Sequence, residues 1–443
     1  MNTTQIYKNL PLYKIVSKLT EENGKITYED LKEYLTEKDS KKLNKYYLGF
    51  KETEELGLIY NYDQMNRSAE ASDEVTELED SCRSIILDKK NLLPIGTQYN
   101  RILYNEDAIK FLENKNWNKL VIEECFEGTM LLVYNHNDKW YVSTRRCLDG
   151  GNSKWVKDKS YHEFFDETIN NKFNYDELNK DYCYHFILLH YKNRNLVNYT
   201  QLGKEYKELC HVLTTRKYTL EEVVHKLPNT ITPTQYMYKN MQELQENLDN
   251  ISKLNEKNNN ITTEGFILKY YEGEINKSYF TILKLQTSVY KKLMKIKPNN
   301  SNIHQIYLEL YQNDNLYNYL PYTTKYTTEV NTRIVTSMKT ISKEILNLYH
   351  LTRQKKNSEL YESLTDTYKK ILYDLHGIYI ENKTKQENRS INVHSVYYYL
   401  KKIPPNILRQ IYYDRKTMMD NKNSDFIDKT CILTMAQTTL MSS

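Results

Sequence analysis

Apolar residues change their period along this chain, and the change divides it. Between Thr4 and Glu37 they recur at helical spacing (Leu12, Ile15, Val16, Leu19), which predicts short helices. Tyr62 to Ser81 is polar, acidic and aperiodic, and reads as a loop. A series of runs rich in Val, Ile, Leu and Tyr then predicts strands: CRSIILD (82–88), KLVIEE (119–124), TMLLVYN (129–135), KWYVSTR (139–145), YCYHFILLHY (182–191), NLVNYT (195–200), EGFILKYYEG (264–273) and YFTILKL (279–285). Asn135, Asn137 and Asp138 separate two of these runs and predict a hairpin. Gln242 to Thr263 reads as a helix that breaks into a polar loop.

From Pro298 the helical period takes over. Ile334, Met338, Ile341, Ile345 and Leu348 share one face, and so do Leu360, Leu364, Tyr368, Ile371 and Leu375, a stretch opened by Asn357 and Glu359 and closed by Gly377. A third helix is expected from His394 to Lys402, ending at Pro404-Pro405, with a polar tail after Met419. Ten of the 11 glycines precede residue 274, so turns and bulges concentrate in the first two-thirds. The expected fold class is α+β: antiparallel sheets with flanking helices, followed by an all-α C-terminal domain. The expected boundaries are 1–80 for an N-terminal helical and loop part, 81–297 for the core and 298–443 for the helical domain.

Composition narrows the classes of function. The chain has 443 residues, 39% hydrophobic, and a formal charge of only +4, so it neither resembles a disordered polyelectrolyte nor advertises a strong polyanion binder. Its mean hydropathy is -0.77, and no run approaches the roughly 18–20 apolar residues of a membrane span. The start, MNTTQIYKNLPLYKIV, lacks the pattern of a secretory signal. The six cysteines (Cys82, Cys125, Cys147, Cys183, Cys210, Cys431) form no C-x-x-C pair, which argues against a disulfide scaffold or a zinc site and for a reducing, cytoplasmic setting. His185 and His190, five apart in an apolar run, read as packed histidines. Lysine outnumbers arginine about fourfold and Asn, Ile and Tyr abound, a bias that suits an AT-rich genome such as that of a large DNA virus.

Five segments in order carry candidate chemistry: Glu124-Cys125-Phe126-Glu127-Gly128-Thr129, STRR (143–146), FILLHYKNRNLVNY (186–199), TEGFILK (263–269) and LKLQTSVY (283–290). Their order and spacing resemble the covalent nucleotidyltransferases, and most of all the phage-type tRNA-repair RNA ligase family. That family reads K-x-D-G or K-E-D-G, T-K-G-S, F-E-x-x-x-P-x-N-R-I-V-x-x-Y, E-G and K-x-K. Cys82-Arg83-Ser84-Ile85 stands where the family has E-C-R-G-I. The resemblance runs from about residue 5 to 300. It implies a nucleotidyltransferase (ATP-grasp-like ligase adenylation) domain and an RNA substrate.

The departures from the family pattern fall on the chemistry. The family's motif-one lysine attacks the α-phosphorus of ATP and carries AMP as a phosphoramidate; here that position is Cys125, with Lys119 the nearest upstream lysine. The motif-one Asp is Glu127, the motif-three Glu is Ile187, and the second lysine of K-x-K is Gln286. Glu264, the one metal-associated carboxylate left, and Lys284 match. The expectation is a catalytically inactive member that uses its degenerate cleft to bind RNA or RNA ends, with Arg83, Arg145, Arg146, Arg194, Glu264 and Lys284 as nucleotide- or RNA-binding candidates. No cofactor is expected; ATP and magnesium would be the pair required if activity remained. Two further readings stand beside it: a scaffold subunit of a viral RNA-processing, transcription or translation assembly, and an active ligase with another nucleophile. RNA is the expected partner, joined by proteins docking on the helical domain, and neither DNA nor a membrane is expected. In the helical domain Arg409, Arg415 and the runs Tyr397-Tyr398-Tyr399 and Tyr412-Tyr413 are the candidate contacts.

Overall fold

The computed structural model describes residues 5–38, 44–62, 73–98, 101–154, 159–170, 172–300, 302–324, 326–385 and 390–419. The chain divides into two compact units, Met1–Tyr290 and Lys291–Ser443.

The first unit is built on three sheets. β1 (Leu48–Glu52), β2 (Leu56–Asn61), β3 (Ile85–Asp88) and β4 (Pro94–Thr97) form an antiparallel sheet in that order. β5 (Ile102–Tyr104), β6 (Leu120–Cys125), β7 (Thr129–His136), β8 (Lys139–Ser143), β9 (Tyr182–His190), β10 (Lys207–Arg216), β11 (Gln235–Tyr236), β12 (Gly265–Tyr271) and β13 (Phe280–Gln286) supply the other two, in the orders β10-β9-β7-β8 and β11-β6-β12-β13-β5. The expected antiparallel pattern is broken where β5 runs parallel to β13, Ile102 facing Ile282. The β7–β8 hairpin turns on Asn137 and Asp138, both at positive φ, the conformation a two-residue hairpin demands and these residue types tolerate.

Alternation along the strands assigns each face. In β7, Leu131 and Val133 face a core with helix Tyr161–Ile169, where Phe164 and Phe165 are buried. Leu132 and Tyr134 face the first sheet, packing with Leu58, Ile86 and Ile95. The five-stranded sheet covers one face with helices Asn105–Leu112 and Met241–Asn258, burying Leu112, Leu244 and Leu248 on Ile122, Phe266, Leu268 and Leu283. Its other face meets the second sheet.

Two expected elements differ. The end of the Tyr62–Ser81 loop is a helix, Asp73–Ser81, whose Leu78 packs under the first sheet; residues 63–72 lie outside the described residues. NLVNYT (195–200) is not a strand, because the Leu196 and Val197 amides both donate to the Glu127 carboxylate at 2.7 and 2.6 Å and are lost to any ladder.

The second unit is helical. Helix Thr327–Tyr349 buries Ile334, Met338, Ile341, Ile345 and Leu348 along one face. The next expected helix is two: Ser358–Ser363 ends at extended Leu364, and Asp366–Thr384 continues through Gly377 instead of stopping there. Gly377 has no non-helical atom near its missing Cβ, so it costs propensity without breaking the helix. After Val393–Lys402, Pro405 opens a further helix, Pro405–Met419, at the first position where a missing N–H is harmless. The polar tail after Met419 lies outside the described residues. No described helix is long and apolar enough to cross a membrane.

Candidate functional site

Between the second and third sheets lies a cavity of about 270 Å³. Register explains its lining. β6 pairs with β12 and β12 with β13, so Glu123, Ile267 and Lys284 stand side by side across the sheet, with Tyr104 of β5 next to Lys284. Cys125 pairs with Gly265, which in turn pairs with Gln286, forming the adjacent row. Met130, Ile187 and Val212 close the cavity from the second sheet. Glu124 pairs with Phe266 across β6 and β12, on the face opposite Cys125, so its carboxyl is not one of this row.

The floor is a closed polar network. Glu264 precedes the first residue of β12, where only glycine fits: Gly265 holds φ +149, and a Cβ there would lie 2.0 Å from the Leu285 carbonyl oxygen. The Glu264 side chain reaches over β13. Its Oε1 accepts from Lys284 Nζ at 3.0 Å and from Gln286 Nε2 at 2.8 Å, and its Oε2 accepts from Cys125 Sγ at 3.5 Å. Gln286 is fixed in turn by Asn105, whose Nδ2 donates to its Oε1 at 2.9 Å. Burial and the Glu264 carboxylate hold the Cys125 thiol well above its usual range, so it is protonated near neutrality. Burial alone would weaken the Lys284 ammonium; the Glu264 carboxylate opposes this, and its pKa rises.

Glu127 forms a second closed group. Its carboxylate accepts from Asn195 Nδ2 (3.0 Å), the Leu196 and Val197 amides and the Tyr290 hydroxyl (2.6 Å). Burial raises its pKa against these hydrogen bonds, which leaves a carboxyl committed to holding the β6–β7 turn to the segment after β9. Gly128 is needed in that turn, since a Cβ would meet the Leu188 carbonyl at 2.5 Å. A third pair, Lys269 Nζ to Glu123 Oε2 at 3.1 Å, is buried beside the cavity.

The structure gathers six of the sequence candidates. Arg83, Cys125, Glu127, Ile187, Glu264 and Lys284 line the cavity, and Gln286 bonds its floor. Three expected cleft residues are elsewhere. Arg145 donates to the Asn61 carbonyl and Oδ1, Arg146 lies 5.9 Å from the Tyr60 ring, and exposed Arg194 sits near Tyr206. The residue after Arg194 reaches the site instead: Asn195, with Asn105, Glu123, Lys269 and Tyr290, is a member that sequence reasoning missed. Lys119 donates to the Glu272 carbonyl and is not a substitute nucleophile. In the helical unit Arg415, expected at an RNA surface, is buried in a two-pronged pair with Glu344 at 2.9 and 2.8 Å. His185 and His190 are buried in packed surroundings.

A divalent metal does not fit this arrangement. The Lys284 ammonium already occupies the position beside Glu264 that a cation would need, and among the described residues no three His, Cys, Asp or Glu side chains come together as a cage. A triphosphate fits no better. Lys284 and Lys269 are neutralised by Glu264 and Glu123, so Arg83, which makes no hydrogen bond or ion pair with another described residue, is the one lining cation left for a phosphate among the described residues.

No family model matches the chain. It is similar to two proteins described as immediate-early protein ICP-46 homologs. That of Invertebrate iridescent virus 6 is 30% identical over 24% of each chain, and that of Invertebrate iridescent virus 3 is 23% identical over 43% of this chain and 40% of the relative. The matches thus span about a quarter and two-fifths of those relatives. Among solved structures, two forms of an archaeal ATP-dependent RNA ligase are similar at TM-scores of 0.34 and 0.37, with 12% and 11% identity over 48% and 61% of this chain and 58% and 67% of theirs. A putative ATP-dependent DNA ligase from Aquifex aeolicus is similar at a TM-score of 0.35, with 14% identity over 68% of this chain and 69% of its own.

Proposed function

We propose that this chain is a ligase-like protein that performs no nucleotidyl transfer and that its cavity holds the terminal nucleoside of an RNA. The observation that carries the reading is the closed Cys125–Glu264–Lys284–Gln286 network. Transfer to an enzyme nucleophile needs a reactive lone pair, a carboxylate for the metal and unpaired positive charge on the phosphates. Here the nucleophile position is a buried neutral thiol, and the carboxylate is spent on three internal partners. A cavity of about 270 Å³ lies at the small end of ligand pockets, roughly 300–1,000 Å³. One base and its ribose suit that space. Phe126, Tyr104 and Tyr290 supply aromatic walls, and Arg83 supplies charge for a single phosphate.

The test is a binding titration of a short fluorescent single-stranded RNA against the full-length protein and two variants. Ile187→Trp fills the cavity, and Arg83→Ala removes its available cation. Each is expected to weaken binding about tenfold with unchanged thermal unfolding. Wild-type affinity in a folded Ile187→Trp protein would overturn the cavity as the site.

A further inference from the structure

Charge is divided between the units. Residues 1–290 carry 39 Lys and Arg against 44 Asp and Glu, a formal −5, whereas residues 291–443 carry 23 against 14, a formal +9. The near-neutral total therefore hides a strongly basic helical unit.

Four acids of that unit have partners within it. Glu344 pairs with Arg415, Asp374 accepts from the Tyr399 hydroxyl, Asp414 accepts from Thr365 and Gln410, and Glu381 pairs with Lys385. Lys370, Lys402 and Arg409 are exposed and make no ion pair or hydrogen bond with any described residue. Each has an exposed tyrosine one helical turn away: Lys370 with Tyr373 (71% exposed), Lys402 with Tyr398 (49%) and Arg409 with Tyr413 (68%). Residues three or four apart share a helix face, so each cation and its ring are presented together. The three pairs lie on three different helices, Asp366–Thr384, Val393–Lys402 and Pro405–Met419. The first two pack on helix Thr327–Tyr349, and the third is tied to it by the Arg415–Glu344 pair.

We infer that these three cation–tyrosine pairs form a binding surface for single-stranded RNA on the helical unit, separate from the cavity. A cation gripping a phosphate beside a ring that stacks a base is the combination that single strands require. A duplex, whose bases are already stacked, gains nothing from the rings. The choice of RNA over DNA rests on the proposed function, whereas the surface itself stands on the charge division and the exposed pairs.

The test measures binding of the full-length protein to oligo(U) across salt concentrations, with oligo(dT) and a duplex of equal length alongside. The triple variant Lys370→Glu, Lys402→Glu, Arg409→Glu is expected to lose at least 100-fold in affinity and about two units of the log-affinity against log-salt slope, at roughly 0.7 per phosphate contact. A second variant, Tyr373→Ser, Tyr398→Ser, Tyr413→Ser, keeps the charge; it is expected to lose affinity while the slope stays as in wild type. Circular dichroism checks that both are folded. Unchanged oligo(U) affinity in both folded variants overturns the surface, and it leaves the cavity reading to its own Ile187→Trp titration. Equal affinity for the duplex overturns the stacking role. Tighter binding of oligo(dT) overturns the assignment to RNA.

Discussion

The two units treat their charges in opposite ways. In the first, the cations that a polyphosphate would want are turned inward, Lys284 on Glu264 and Lys269 on Glu123, in a unit that is acidic overall. In the second, cations are in excess, and Lys370, Lys402 and Arg409 stand exposed, each one helical turn from an exposed tyrosine. The polar network at the centre of the cavity and the exposed cations of the helical unit are thus separate features, and each can be tested without the other. Formal charge alone misses this, because +4 is the remainder of two opposite excesses.

The largest break in this comparison is expected at the buried pair of the helical unit. Arg415→Ala removes both guanidinium hydrogen bonds to the buried Glu344 carboxylate, and loss of one member of such a pair costs about 3–5 kcal/mol. Chemical denaturation of the variant should show the helical unit unfolding early; a shift under 1 kcal/mol would mean that the pair is dispensable.

Acid should instead weaken the sheet unit. Burial, with His211 and Lys269 nearby, pushes His185 down to about 3, and burial with His225 pushes His211 down to about 4. Unfolded imidazole titrates near 6.5, so below that pH the unfolded chain takes up protons that the folded unit refuses. Stability present at pH 7 is lost as pH falls, by up to about 1.4 kcal/mol per pH unit for each histidine. Thermal unfolding between pH 7 and 5 checks the sign, and a melting temperature that rose on acidification would reverse it.

A smaller effect is expected at the cavity wall. Tyr290→Phe removes a 2.6 Å hydrogen bond to Glu127, a loss of about 1.5–3 kcal/mol for a bond to a charged acceptor. The smallest is on the exposed helical face, where Tyr398→Ala and Lys402→Ala should change stability by no more than about 0.5 kcal/mol. Any larger loss there would show that these side chains serve the fold instead of a partner.

How much of this was legible follows from particular residues. The β7–β8 hairpin and the buried face of Thr327–Tyr349 were readable because local period and turn chemistry agree with the final packing. β10 was not, because a register shift between His211 and Leu213 breaks the alternation that marks a strand. The motif order pointed to Cys125, Glu264 and Lys284 as neighbours. It could not show that Glu264 would be shared between Lys284 and Gln286, or that Asn105 would hold Gln286 from 181 positions away. Such contacts depend on strand register, which no local pattern encodes. Arg145 and Arg146 were misplaced for the same reason, since the turn after β8 carries them toward Asn61 and Tyr60.

The proposed absence of nucleotidyl transfer rests on a neutral thiol at the nucleophile position and a carboxylate that is already paired. The direct measurement is incubation of wild type and Cys125→Lys with α-labelled ATP and magnesium, followed by denaturing gel electrophoresis. No labelled protein is expected in either lane, since a lysine at 125 would share Glu264 with Lys284 and stay protonated. A stable labelled band at about 53 kDa in the wild-type lane would contradict it.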